Sequence, residues 1–147
     1  MSALTPAPFE ASTPRPVWRS VGIWMVGVLV GYILFNAVRA VANPVDFAAY
    51  FGIPLSNPEN TGFVFVYAIR ALFLGLFGFG LIVRQQYSAL ALYALIGSIM
   101  PLGDAVLVAF ESGTPATIIR HLLVAVFLLL TWWFMRRWVL STAQTAR

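Results

Sequence analysis

Five ionisable side chains lie inside apolar stretches of this sequence: Arg39, Arg70, Asp104, Arg120 and His121. Each is costly in hydrocarbon, so each belongs in a bundle interior, a water-filled cavity or a bilayer interface. At a rise of about 1.5 Å per helical residue, Arg70 lies roughly 12 Å inside its stretch, Asp104 about 9 Å and His121 about 8 Å. All are measured from the same end of the bundle. Arg39 and Arg120 are shallower and can snorkel to the interface. Two chemistries suit these side chains. A guanidinium engages an anion through charge-assisted hydrogen bonds, and a carboxylate beside an imidazole moves protons.

Helical spacing gathers polar residues around these charges. Tyr93, Gly97, Met100, Asp104, Leu107 and Glu111 form one stripe, and Tyr32, Asn36 and Arg39 form another. Tyr67 shares a face with Arg70, and Thr117 shares one with His121. A small pocket built from Asn36, Arg70, Tyr93, Asp104 and His121 follows, with Tyr67 and Arg39 as further binding residues. Pro101 has no N–H to give to Gly97, so a kink is expected one turn before Asp104. A plainer reading stands beside this one. Arg70 and Asp104 would be a buried ion pair that fixes helix packing, with His121 bonded to it.

Other chemistries are missing their residues. The chain has no Cys and a single His, which removes thiolate nucleophiles, disulfides and a protein-built metal centre. It has neither a phosphate-binding G-x-x-x-x-G-K-[ST] loop nor a G-x-S-x-G elbow. Ser98 or Ser112 could be set against His121 as nucleophile and base, but no triad spacing favours them. No cofactor is implied.

Composition identifies the elements that must carry these residues. Of 147 residues, 61% are hydrophobic and 10% charged, far from a soluble domain. The mean hydropathy is +0.87. Windows of about 20 residues mark spans at 21–42, 62–83, 88–110 and 116–135. Asn43-Pro44 and Gly52 bracket a short interfacial helix between the first two spans. Asn57-Pro58-Glu59 is expected to start the second span and Thr114-Pro115 the fourth. The expected fold is all-α, an integral membrane four-helix bundle over residues 18–138. A disordered tail occupies 1–17 and a C-terminal tail 139–147. Ala40-Val41-Ala42 has the small-x-small form of a signal cleavage site, but the long preceding tail and Arg39 beside the cut favour an uncleaved span.

All nine basic residues are Arg, against five acids, and their scatter excludes a nucleic-acid surface. Arg136 and Arg137 beside Trp132, Trp133 and Trp138 read as an interfacial belt. Gly27-x-x-x-Gly31 and Ala71-x-x-x-Gly75 permit close helix approach, within the chain or in a homodimer or larger membrane complex.

Asn43-Pro44 through Tyr50-Phe51-Gly52-Ile53-Pro54, the run Tyr67-Ala68-Ile69-Arg70-Ala71-Leu72-Phe73-Leu74-Gly75, Asp104 and His121 together resemble a known family. It is a domain of unknown function (4267) found in short four-span membrane proteins of bacteria and fungi. The resemblance covers roughly residues 20 to 137. It implies a four-helix membrane architecture and draws attention to Arg70, Asp104 and His121. It implies no substrate.

Several functions fit these residues. The first is a binding or accessory membrane protein whose outer-half pocket takes a small amphipathic or anionic molecule. Arg70 would engage the anion and Asp104 would orient Arg70. The alternative is a small membrane enzyme, an isomerase or cyclase, using Asp104 as general acid or base and His121 as relay on a lipophilic substrate. A proton-coupled transporter subunit would load Asp104 and His121, but the other half of the spans offers no ionisable continuation. A structural partner of a larger complex is the remaining reading.

Arg counts near span ends place both termini in the cytoplasm of a multi-pass cell-membrane protein, because the two opposite loops hold only Asp46, Glu59 and Glu111. Single cysteines at Ser56 and Ser112 should label with an impermeant maleimide from outside, and one at Ser141 only after lysis. Labelling of the Ser141 site in intact cells would reverse the topology.

Overall fold

The computed structural model describes residues 20–145, and side chains as far as Thr142. The expected tail at 1–17 lies outside them. Six helices follow in order: α1 (Val21–Ala42), α2 (Pro44–Phe51), α3 (Gly62–Val83), α4 (Tyr87–Gly97), α5 (Ile99–Phe110) and α6 (Pro115–Thr145). With α4 and α5 taken as one broken span, four helices are long and apolar enough to cross a membrane. The chain is an all-α, multi-pass membrane protein.

The breaks have local causes. Asn43 accepts a hydrogen bond from the Asp46 N–H and donates through Nδ2 to Asp46 Oδ2, so it caps α2 in both directions. Pro44 fills the first helical position, where no N–H is needed. Gly52 ends α2 with φ 111°, a conformation that costs glycine little. α3 keeps the expected bounds 62–83, but Asn57-Pro58-Glu59 does not open it. Asn57 Oδ1 accepts from the Glu59 N–H at 3.0 Å, which closes a local turn around Pro58 and delays the helix to Gly62. At the other end, α6 runs past Met135 to Thr145, so 139–145 of the expected C-terminal tail are helical.

The third span breaks at Ser98, just after Gly97, whose carbonyl is the one that Pro101 cannot serve. Ser98 Oγ donates to Leu95 O at 2.7 Å and its N–H reaches Ala94 O at 3.2 Å, ending α4. Pro101 then sits in the first turn of α5, where its missing N–H is harmless.

The packing is uneven. α1 lies along α3, and α6 lies along both α4 and α5 and also meets α1, whereas α3 and α5 scarcely touch. Small residues set the close approaches: a Cβ at Gly78 would stand 2.8 Å from Val30 Cγ2, and one at Gly22 would stand 2.8 Å from Met135 Sδ. Gly75 is filled by Leu34. Gly27 and Gly31, in contrast, meet nothing within 4 Å. Ala71 and Gly75 therefore serve packing within the chain, and the pair on α1 does not. Three apolar clusters stack along the bundle, around Phe47, Leu29 and Leu90.

A Cβ at Gly52 would be forced into the αL region and would overlap Thr117 Cγ2. Gly52→Ala should cost about 1–3 kcal/mol of stability. Gly27→Ala should be nearly neutral. Thermal unfolding of the two variants in detergent checks the contrast.

Candidate functional site

Where α3 and α5 part, the α2 end of the bundle contains a cavity of about 360 Å³. α2 roofs it with Phe47, Tyr50 and Phe51. The rings of Phe47 and Phe51 pack on Tyr67 at centroid distances of 4.8 and 5.5 Å, which binds the roof to α3. On the opposite side Tyr93 OH donates to Leu74 O at 3.0 Å, joining α4 to α3. This closes the floor.

The roof is held from α6 by two consecutive residues. A guanidinium N–H of Arg120 donates to Tyr50 O, and His121 Nε2–H donates to Phe51 O at 3.0 Å. These are carbonyls of the last turn of α2, which no further helical turn satisfies. Arg39 and Arg120 also stack on the ring of Tyr50, their guanidinium carbons 4.1 and 3.9 Å from its centroid. Tyr50 is therefore clamped between α1 and α6 by two cation–π contacts. The Phe51 ring meets His121 edge-on at 4.9 Å.

With Nε2 committed to a carbonyl, His121 turns Nδ1 toward Asp104 Oδ2 at 4.0 Å. The His121 side chain is 12% exposed and that of Asp104 29%. Together they offer acid–base chemistry at the cavity wall.

Seven residues were expected at the site. Asn36, Arg70, Tyr93, Asp104, His121 and Tyr67 all line the cavity. Arg39 does not; it stacks on the ring of Tyr50. Asn36 is buried and donates to Tyr32 O at 2.8 Å, a bond that holds it within α1. The expected Arg70–Asp104 ion pair is not formed within 4.0 Å. Arg70 is exposed at the α3 rim, and the gap between α3 and α5 keeps it from Asp104. Asp104 pairs with His121 instead.

Sequence reasoning missed the roof. Phe47, Tyr50 and Phe51 share a helical face by their spacing, and that signal was readable in the eight residues of α2. Arg120, expected as an interfacial anchor, instead bonds and stacks on α2. The tryptophan–arginine belt is present, with Arg137 4.7 Å from the Trp133 centroid and Arg136 5.6 Å from that of Trp132. Among the described residues, no group of three or more His, Asp or Glu could hold a metal ion.

Residues 30–135 match the family model described as Domain of unknown function (DUF4267). No curated protein and no solved structure matches the chain.

The pairing pattern has a measurable consequence. In double-mutant cycles on detergent-solubilised protein, Asp104→Asn with His121→Gln should show coupling above about 0.5 kcal/mol, as contacting residues do. Asp104→Asn with Arg70→Gln should be additive within that limit. The reverse order of couplings would restore the Arg70–Asp104 pair.

Proposed function

For a chain that belongs to the DUF4267 family, a domain of unknown function, we propose a membrane-embedded binding protein that takes a small anionic amphiphile into the cleft between α3 and α5. In this reading the protein sits in the cell membrane with both termini cytoplasmic, and the cleft opens in the outer half of the bilayer. One observation carries the proposal. Arg70 stands about 12 Å along a membrane span, on the rim of a cavity, with no carboxylate among the described residues within ion-pair distance. A charge at that depth needs a counter-ion or water, and a ligand anion supplies the former.

The surroundings support the reading. The lining is mostly aromatic and aliphatic, with a few convergent polar groups: Arg70 and Arg120 against Asp104, and the Tyr67 and Tyr93 side chains. A volume of about 360 Å³ falls among small-molecule sites, which run from about 300 to 1,000 Å³. The gap between α3 and α5 admits an amphiphile sideways from the bilayer, so no aqueous route is required. Arg70 takes the anionic group, and the roof of Phe47 and Phe51 covers its apolar part.

The approach of Asp104 to His121 favours a second reading, a small membrane enzyme of isomerase or cyclase type. Asp104 would be the acid or base that faces the substrate, with His121 as its relay. The engagement of His121 Nε2 with Phe51 O leaves one ring nitrogen for that work. Binding is therefore the function the geometry supports best.

Native mass spectrometry of protein extracted in its own lipid should find a small anionic amphiphile retained in defined ratio. Arg70→Ala should weaken retention at least about tenfold, as expected for loss of a charge-assisted hydrogen bond. Arg84→Ala, in the loop after α3, should not. Retention unaffected by Arg70→Ala would overturn the proposal, and no retained molecule would favour a purely accessory subunit.

A further inference from the structure

Tyr50 is a wedge as well as a roof. Its ring meets α1 and α6 through the guanidiniums of Arg39 and Arg120, both stacked on it. The two helices are in close contact at Gly22 and Met135, near the opposite end of the bundle. Between that contact and the wedge lies a second hollow of about 330 Å³. Val28 and Leu29 of α1 and Leu123 and Phe127 of α6 form its apolar sides, and Tyr32, Tyr50 and Arg120 close its head. Tyr32, Tyr50 and Arg120 also line the α3/α5 cleft, so they form a partition with one face toward each hollow. Arg70 and Asp104 belong to the cleft alone.

Arg120 lines the head of this groove, and Arg39 stands beside it, stacked on the ring of Tyr50. Among the described residues, neither Arg39 nor Arg120 has a carboxylate within 4.0 Å. Arg120 spends one N–H on Tyr50 O, and a guanidinium carries five. Arg39 lies about 4.5 Å from the end of α1, and Arg120 about 7.5 Å from the start of α6. That is headgroup depth for helices that span a bilayer. Val28 and Leu123, each 63% exposed, stand at the lipid-facing edges of the groove. Positive charge at headgroup depth thus stands directly above an apolar slot open to lipid.

We propose that the α1/α6 groove is a separate site for one anionic phospholipid of the surrounding bilayer. Its phosphate is bracketed by Arg39 and Arg120, and one of its acyl chains lies along Leu29, Leu123 and Phe127. Planar guanidiniums suit phosphate oxygens, which they meet with paired, charge-assisted hydrogen bonds. Bound there, the lipid supplies the counter-charge the two arginines lack. It thereby secures the clamp on Tyr50 from outside the bundle. Arg70 and Asp104 of the cleft take no part in it.

The test is titration of the detergent-solubilised protein with phosphatidylglycerol, phosphatidylcholine or inorganic phosphate, read by native mass spectrometry. One phosphatidylglycerol should bind per chain, at least about tenfold more tightly than phosphatidylcholine, and inorganic phosphate should not displace it. Leu123→Trp, which fills the groove from its lipid edge, and Arg39→Gln should each weaken phosphatidylglycerol at least about tenfold. Arg70→Gln, which acts on the cleft, should leave it unchanged. Equal binding of the two lipids, or binding indifferent to both Leu123→Trp and Arg39→Gln, would overturn the proposal. Displacement by inorganic phosphate would remove the acyl chain from it. Loss of phosphatidylglycerol on Arg70→Gln would merge groove and cleft and end the claim of a separate site. Failure of the cleft to retain its own amphiphile would leave these expectations untouched.

Discussion

The last turn of α2 leaves backbone carbonyls that the helix itself cannot satisfy, and α2 lies against helices that span a membrane. A buried carbonyl left without a donor costs about 1–3 kcal/mol. Arg120 and His121 meet this constraint by donating to Tyr50 O and Phe51 O. The Arg120 guanidinium also suits the negative end of the α2 dipole. Because the two donors are adjacent on α6, the register of α6 against α2 is set at that point. Tyr50 is then fixed between α1 and α6, Phe51 is fixed over Tyr67, and α2 becomes a roof.

The roof explains the division of the charges. His121 can offer only Nδ1 to the cavity, and Asp104 is the group that faces it. Arg70 is left on the far rim, because α3 is drawn to α1 through Gly75 and Gly78 while α5 is drawn to α6. The same pattern that packs the helices in pairs keeps α3 and α5 apart. An open cleft with a guanidinium at its edge is therefore a consequence of packing, and needs no force beyond it. Tyr93 limits the opening by tying α4 to Leu74 O.

Much of this was legible in the sequence, and the limits have physical reasons. The spans could be read because about 20 apolar residues in a row have few other uses. The α2 boundaries could be read because Asn43, Pro44 and Gly52 each carry a local conformational preference. Six of the seven expected site residues meet at one cavity because helical periodicity places them correctly on each helix. Partners across helices were harder. Depth along a span brought Arg70 and Asp104 level, but depth says nothing of the lateral gap between α3 and α5. The bond from Arg120 to Tyr50 O joins residues 70 apart in the chain and depends on a backbone carbonyl, to which side-chain patterns are blind. The break after Gly97 follows from the bond that Pro101 cannot donate, which the sequence makes legible.

Hydrogen exchange of the α2 backbone in lipid nanodiscs tests the central claim most directly, because a helix of eight residues has little stability of its own. The amides of Phe47 to Ile53 should exchange slowly in the native protein. In Arg120→Met with His121→Phe, which keeps the bulk and removes the donors, they should exchange as a frayed segment while α1 and α3 stay protected. Rapid exchange of α2 in the native protein, or full protection in the double variant, would contradict the account.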